Sequence, residues 1–329
     1  MAALIDYSKF PENYSRRKRK KRSVVFLVFF TVALFTVSGF SFLRKDNNST
    51  AIKQDTPSVK SIVDETSELP NPKGNSITLE AIVQNQLVNS EGIYAVVIKN
   101  LKTEERYYLN EHTVLDAASL YKLFVMGTVF QKIQSGDLTQ KDILSQKITV
   151  LNQKFRISSE SAELTEGDIT LPIQSALSRM ITISDNYSAL LLAEKVRLSQ
   201  VALFLSQNSL TETKVGTTGE SPSTTASDTA LFLEKLYKKE LANEEFSNEM
   251  LLLLKNQKLN SKLPKYLPKN VPISHKTGEL GKLSHDAGIV TTPKGDYIIV
   301  MLTETSRPVE ANEKIATISK GVYEYFMNK

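Results

Sequence analysis

The 329-residue chain has no cysteine. That excludes a disulfide framework, a thiolate metal site and a cysteine-linked lipid anchor. Its three histidines, His112, His275 and His285, do not fall at H-E-x-x-H spacing, so no zinc or other metal centre and no cofactor is expected. There is no G-x-S-x-G elbow, and Gly278 to Lys282 lacks the spacing and the Ser/Thr of a phosphate loop. His285 and Asp286 are adjacent on a strand entry and should point to opposite faces, which makes them a poor relay pair, and His275 should face away from Lys276. No internal repeat is present.

An excess of positive charge is also missing where a folded domain would carry it. The formal net charge is +5, yet residues 1–45 alone hold ten Lys/Arg against Asp6 and Glu12. The remainder is weakly acidic, with 31 basic and 34 acidic residues. A nucleic-acid partner, which needs a basic patch on the folded part, is therefore not expected.

The N-terminal charge has another reading. Residues 23–43 run for 21 positions without a charged side chain, directly after the seven basic residues of 16–22. At about 1.5 Å per residue such a helix crosses a ~30 Å hydrocarbon core. A cleaved signal peptide has a shorter apolar stretch and a small-x-small site, and Val37-Ser38-Gly39 does not supply one. The expected layout is a basic cytoplasmic tail (1–22), a single membrane-spanning helix (23–43), a Pro-containing polar stalk (44–76) and an extracytoplasmic domain (77–329). The protein is thus expected in the cell membrane, as a monomer.

Within 77–329 a helix is expected over 77–87 and strands over 92–101 and 105–109. A helical region follows over 119–254, then strand-like runs at 271–279, 287–292 and 297–303, with a closing helix over 311–327. Two strands early and three late give an antiparallel sheet of about five strands with flanking helices beside a helical region, an α+β fold.

Three short strings carry the chemistry. Ser119-Leu-Tyr-Lys122 opens a stretch that is apolar nearly all round, so Lys122 is a buried ammonium one turn from Ser119. Desolvation lowers a lysine pKa toward the range of a general base, and a helix N-terminus favours an anion at Ser119. Ser184-Asp185-Asn186 sits between two apolar-periodic stretches, where such residues are also common helix caps. Read chemically, Ser184 relays a proton and Asn186 holds a substrate amide. Lys276-Thr277-Gly278 lies in a strand, where cation, hydroxyl and missing side chain suit a substrate carboxylate at a sheet edge. The backbone N–H of Glu279 would pair with that of Ser119 as an oxyanion hole. Each string has a bland account as cap, snorkelling lysine or protected edge. All three accounts must hold together, in this order, for the chemical reading to fail.

In this order the strings, with the runs 275–280 (HKTGEL) and 285–290 (HDAGIV), resemble the class A β-lactamase family and its penicillin-recognising relatives over residues 78–329. The resemblance implies Ser119 as the acylated nucleophile, Lys122 as its general base, Ser184 as proton relay, and Lys276 with Thr277 as carboxylate anchor. Family members also carry an E-x-x-L-N string on an Ω-loop, whose glutamate activates the water that releases the acyl group. Here residues 210–228 look short and lack it; Glu220 and Glu212 are the candidate substitutes. The functions implied are a β-lactamase first, then a D-alanyl-D-alanine peptidase of peptidoglycan stem peptides, or a receptor that is acylated without turnover.

Overall fold

The computed structural model describes residues 78–217 and 219–329. The tail, the expected membrane helix and the stalk lie outside them; no helix among the described residues is long and apolar enough to cross a membrane. The first described helix, α1 (Leu79–Leu87), is capped by Thr78, whose hydroxyl accepts from Ala81 N at 3.1 Å. Strands β1 (Ile93–Asn100) and β2 (Arg106–Leu109) follow. Near the C-terminus come β7 (Ile273–Leu280), β8 (Leu283–Val290), β9 (Tyr297–Glu304) and the helix α9 (Pro308–Met327).

These strands form one five-stranded antiparallel sheet in the order β2-β1-β9-β8-β7. Every residue of β8 is buried, as is all of β9 except Glu304, because both faces of the sheet are covered. On one face Val96, Ile98, Ile299 and Met301 pack with Ile315, Ile318, Val322 and Phe326 of α9. On the other, Ala95, Val97, Val300 and Leu302 join a larger core that includes Phe124, Phe204 and Phe232. Each such aliphatic side chain contributes about 1.5–3 kcal/mol when fully buried. The α+β arrangement follows: a twisted sheet with two apolar faces needs helices on both. β7 is left at the edge, with half of its backbone groups unpaired by the sheet.

The middle of the chain is more mixed than the helical region expected over 119–254. After β3 (Leu115–Asp116) and a short 3₁₀ turn (Ala118–Leu120) comes α2 (Tyr121–Gln134), buried continuously from Lys122 to Phe130. Then β4 (Ile143–Lys147) and β5 (Asp168–Pro172) form a two-stranded ribbon around α3 (Ile148–Lys154). Helices α4 (Ile173–Thr182), α5 (Asn186–Val196) and α6 (Leu198–Gln207) follow. β6 (Ser223–Thr224) pairs with β3 before α7 (Ala226–Tyr237) and α8 (Glu244–Lys255). In α2, Gly127 admits the Phe204 ring of α6: a Cβ there would lie 2.5 Å from Phe204 Cζ.

Candidate active site

Ser119 is half-buried in the 3₁₀ turn that leads into α2. The preceding Ala118 has φ 43°, a left-handed conformation that costs a non-glycine residue roughly 1–3 kcal/mol and persists only where its surroundings enforce it. Here Ala117 N donates to Pro222 O at 2.7 Å and Leu120 N to Ala117 O at 2.9 Å. His285 Nε2 donates to Asp116 O at 2.9 Å, while its Nδ1 accepts from Thr303 N at 3.0 Å. Burial lowers the His285 pKa to about 4, so the ring is neutral and its two nitrogens play opposite roles. No role was expected for His285; in the fold it braces the turn that carries the candidate nucleophile.

Lys122 is fully buried, and its ammonium donates to Ser184 O (2.7 Å), Asn186 Oδ1 (2.7 Å) and Ser184 Oγ (3.2 Å). Burial lowers its pKa to about 8, although the charges of Asp185 and Glu163 pull it upward. Ser184 sits in the turn between α4 and α5, at φ 57°. Asp185 caps α5, with Oδ1 accepting from Ser188 N at 2.7 Å and Oδ2 from Arg179 at 3.2 Å. Burial alone would raise the Asp185 pKa, but these bonds outweigh it and hold the carboxyl below its usual range. The cap fixes where Ser184 and Asn186 point.

Lys276 comes from β7 and is also fully buried. Its ammonium donates to Ser184 Oγ at 2.9 Å and to Thr277 O at 2.8 Å. Burial first, and then the Lys122 charge, push its pKa well below the ordinary value, with Asp286 opposing. Gly278 brings the β7 edge against the nucleophile turn: a Cβ there would lie 3.2 Å from Ala117 O. Glu279 follows on that edge, its side chain turned to Lys262, whose buried Nζ lies 2.6 Å from the Glu279 carboxylate. The structure thus joins Lys122, Ser184, Asn186 and Lys276 directly, with Ser119 one turn before Lys122 and Gly278 against the turn that carries it.

The two glutamates of the 210–228 loop go elsewhere. Glu212 accepts from Thr225 Oγ1 at 3.0 Å and meets His112 Nδ1 at 3.0 Å. Glu220 is exposed and lines a cavity of about 310 Å³ between α6 and this loop, with Leu205, Leu210, Lys214 and Val215. A carboxylate that sequence reasoning missed does reach the site. Asn186 Nδ2 donates to Glu163 Oε1 at 2.8 Å. A buried pair that no sequence expectation named also forms nearby. His285 and Asp286 do not pair, but His275 Nδ1 and Asp286 Oδ1 lie 2.9 Å apart across β7 and β8, both buried. Among the described residues, no group of three or more His, Cys, Asp or Glu could hold a metal ion.

A sequence model of the beta-lactamase enzyme family matches residues 78–326. The chain is similar to the beta-lactamase VEB-1 of Pseudomonas aeruginosa, with 24% identity over 284 residues covering 79% of this chain and 93% of that one. Its fold is similar to a beta-lactamase from Sphaerobacter thermophilus, at TM-score 0.67 and 21% identity over 76% of this chain and 97% of that one. PBP-A matches at TM-score 0.67 and 22% identity, covering 76% and 96%.

Proposed function

The chain belongs to the beta-lactamase enzyme family and is a serine hydrolase of that family, and from that premise we propose that it opens β-lactams through an acyl-enzyme on Ser119. The observation that carries the proposal is the buried Lys122 ammonium on Ser184 and Asn186, with Lys276 on the same Ser184 hydroxyl. In its neutral form Lys122 takes the proton from Ser119 Oγ, which attacks the lactam carbonyl carbon. The backbone N–H groups of Ser119 and Glu279 hold the oxyanion. As the ring C–N bond breaks, Ser184 gives its proton to the departing nitrogen and takes one from Lys122, 3.2 Å from its Oγ, which returns Lys122 to the neutral form. Lys276 and Thr277 anchor the substrate carboxylate, and Asn186 holds the amide of its side chain.

Release of the acyl group is the slow step in this proposal, because residues 210–228 carry no E-x-x-L-N string. A second reading, an acylated receptor or a D-alanyl-D-alanine peptidase using the same acyl-enzyme, is favoured by the likeness to PBP-A, a variant of which was crystallised as an acyl-enzyme complex with penicillin G. We place the domain outside the cytoplasm, on a single anchor at residues 23–43. Intact mass followed after mixing the full-length protein with benzylpenicillin tests the proposal. An adduct of the penicillin mass that decays to the free mass supports a hydrolase, and one that never decays supports the second reading. No adduct together with no opened penicillin overturns both.

A further inference from the structure

The Asn186 carboxamide is held at both ends. Its Oδ1 accepts from Lys122 Nζ at 2.7 Å, and its Nδ2 donates to Glu163 Oε1 at 2.8 Å. An ammonium only donates and a carboxylate only accepts, so the orientation of the amide is fixed. Glu163 is brought there by its backbone. The Tyr187 hydroxyl accepts from Leu164 N at 3.1 Å and shares its hydrogen between Leu164 O (2.7 Å) and Asn152 Oδ1 (2.9 Å). Asn152 Nδ2 donates to the same Leu164 carbonyl at 2.8 Å. Tyr187 is buried and follows Asn186 on α5, so the segment carrying Glu163 is fastened to the helix that presents Asn186.

We propose that Glu163 selects acyl donors that carry a protonated amine beside the amide held by Asn186. The inference rests on the acyl-transfer function proposed above. Nδ2 has two hydrogens; Glu163 takes one, and the second is available to the substrate carbonyl. Two acceptors on the arms of one NH₂ group lie about 5 Å apart. An ammonium on the carbon next to the carbonyl stands roughly 3 Å from that oxygen, and when it is turned toward Glu163 it comes within ion-pair reach of that exposed carboxylate. Lys122, the neighbouring cation, lies at the far end of the amide and is buried. The charge in contact with the Nδ2 end of the amide is therefore the negative Glu163, whereas the site's other cation, Lys276, is held on Ser184 Oγ and Thr277 O.

The test compares three penicillins that differ only at that carbon: benzylpenicillin (neutral), ampicillin (ammonium) and carbenicillin (carboxylate). Second-order acylation rate constants of the full-length protein should follow the order ammonium, neutral, carboxylate, with about three- to fivefold between neighbours at low salt, the scale of an exposed ion pair. The order should flatten in 0.5 M salt. In Glu163→Gln the ratio of ammonium to neutral rate should fall to near one, and a ratio taken within one variant cancels any general loss of activity. Equal rates in the wild type at low salt, or an order that survives Glu163→Gln, would overturn the inference while leaving acyl transfer standing. Failure of all three penicillins to acylate the wild type would sink the acyl-transfer reading, and this inference with it.

Discussion

Lys276 donates to the Ser184 hydroxyl at 2.9 Å, across 92 residues of sequence. Lys122 reaches the same oxygen at 3.2 Å, so two ammonium groups approach both lone pairs of one hydroxyl. The hydrogen of Ser184 is then left to point elsewhere, which the proposed transfer to a departing nitrogen requires. Two buried cations this close also disfavour one another: after burial, the Lys122 charge is the next cause that lowers the Lys276 pKa.

A pH profile follows from that pair. Lys122 must be neutral to act as a base, and its pKa is lowered to about 8. The saturating acylation rate should climb close to tenfold per pH unit below 8 and level off above it. Replacing Lys276 by alanine removes a like charge, which makes Lys122 easier to protonate and moves the midpoint to higher pH. Glu163→Gln removes a negative charge and moves it lower. Stopped-flow acylation between pH 6 and 10 reads all three, and a flat wild-type profile would show that another group is the base.

Ser119→Ala should abolish covalent labelling by a fluorescent penicillin. Lys122→Ala should slow it by about 10²–10⁴-fold, the usual cost of losing a general base. Thermal unfolding of each variant checks that the domain is intact. Full labelling of Ser119→Ala would move the nucleophile to another residue.

The three strings were legible because each combines residue types with a strong local meaning, and the sheet because β1 and β9 are eight residues each and largely apolar. What escaped depends on placement. β4 and β5 are five residues each, partly exposed and separated by α3, so no hairpin turn marks them. Glu163 reads as one more acid in a polar loop until the Tyr187 hydroxyl pins Leu164 beside it. The pairing of His275 with Asp286 comes from strand register, Thr277 opposite Asp286 and His275 opposite Gly288, which puts the two on one face. Only the folded hairpin sets that register.

Gly127→Ala offers a stability test of the helix that carries Lys122. Alanine is the better helix former by about 1 kcal/mol, but its Cβ would stand 2.5 Å from the Phe204 ring. Overpacking of a tight core typically costs about 1–3 kcal/mol. The clash should therefore outweigh the propensity gain, and the melting temperature should fall by a few degrees. A rise would mean that Phe204 has room to retreat.

The membrane topology proposed from residues 1–45 is tested by reporter fusions. Alkaline phosphatase joined after Lys45 should be active, since it folds only outside the cytoplasm, and silent when joined before Ser23. The reverse pattern would turn the domain inward.

Turnover should be slow. Fast hydrolysis of the acyl ester needs a base on the attacking water, a contribution of about 10²–10⁴ in rate. Glu212 is engaged by Thr225 and His112, and Glu220 lines the cavity behind the 210–228 loop. A burst of one equivalent of opened β-lactam should precede a much slower steady state. Glu220→Gln and Glu212→Gln then separate the candidates: the variant that lengthens the adduct lifetime without changing acylation has lost the base. If Glu163→Gln does so instead, the carboxylate on Asn186 has taken over that task. A wild type that shows no burst and turns over at ~10 s⁻¹ or faster would mean that a group outside these three activates the water.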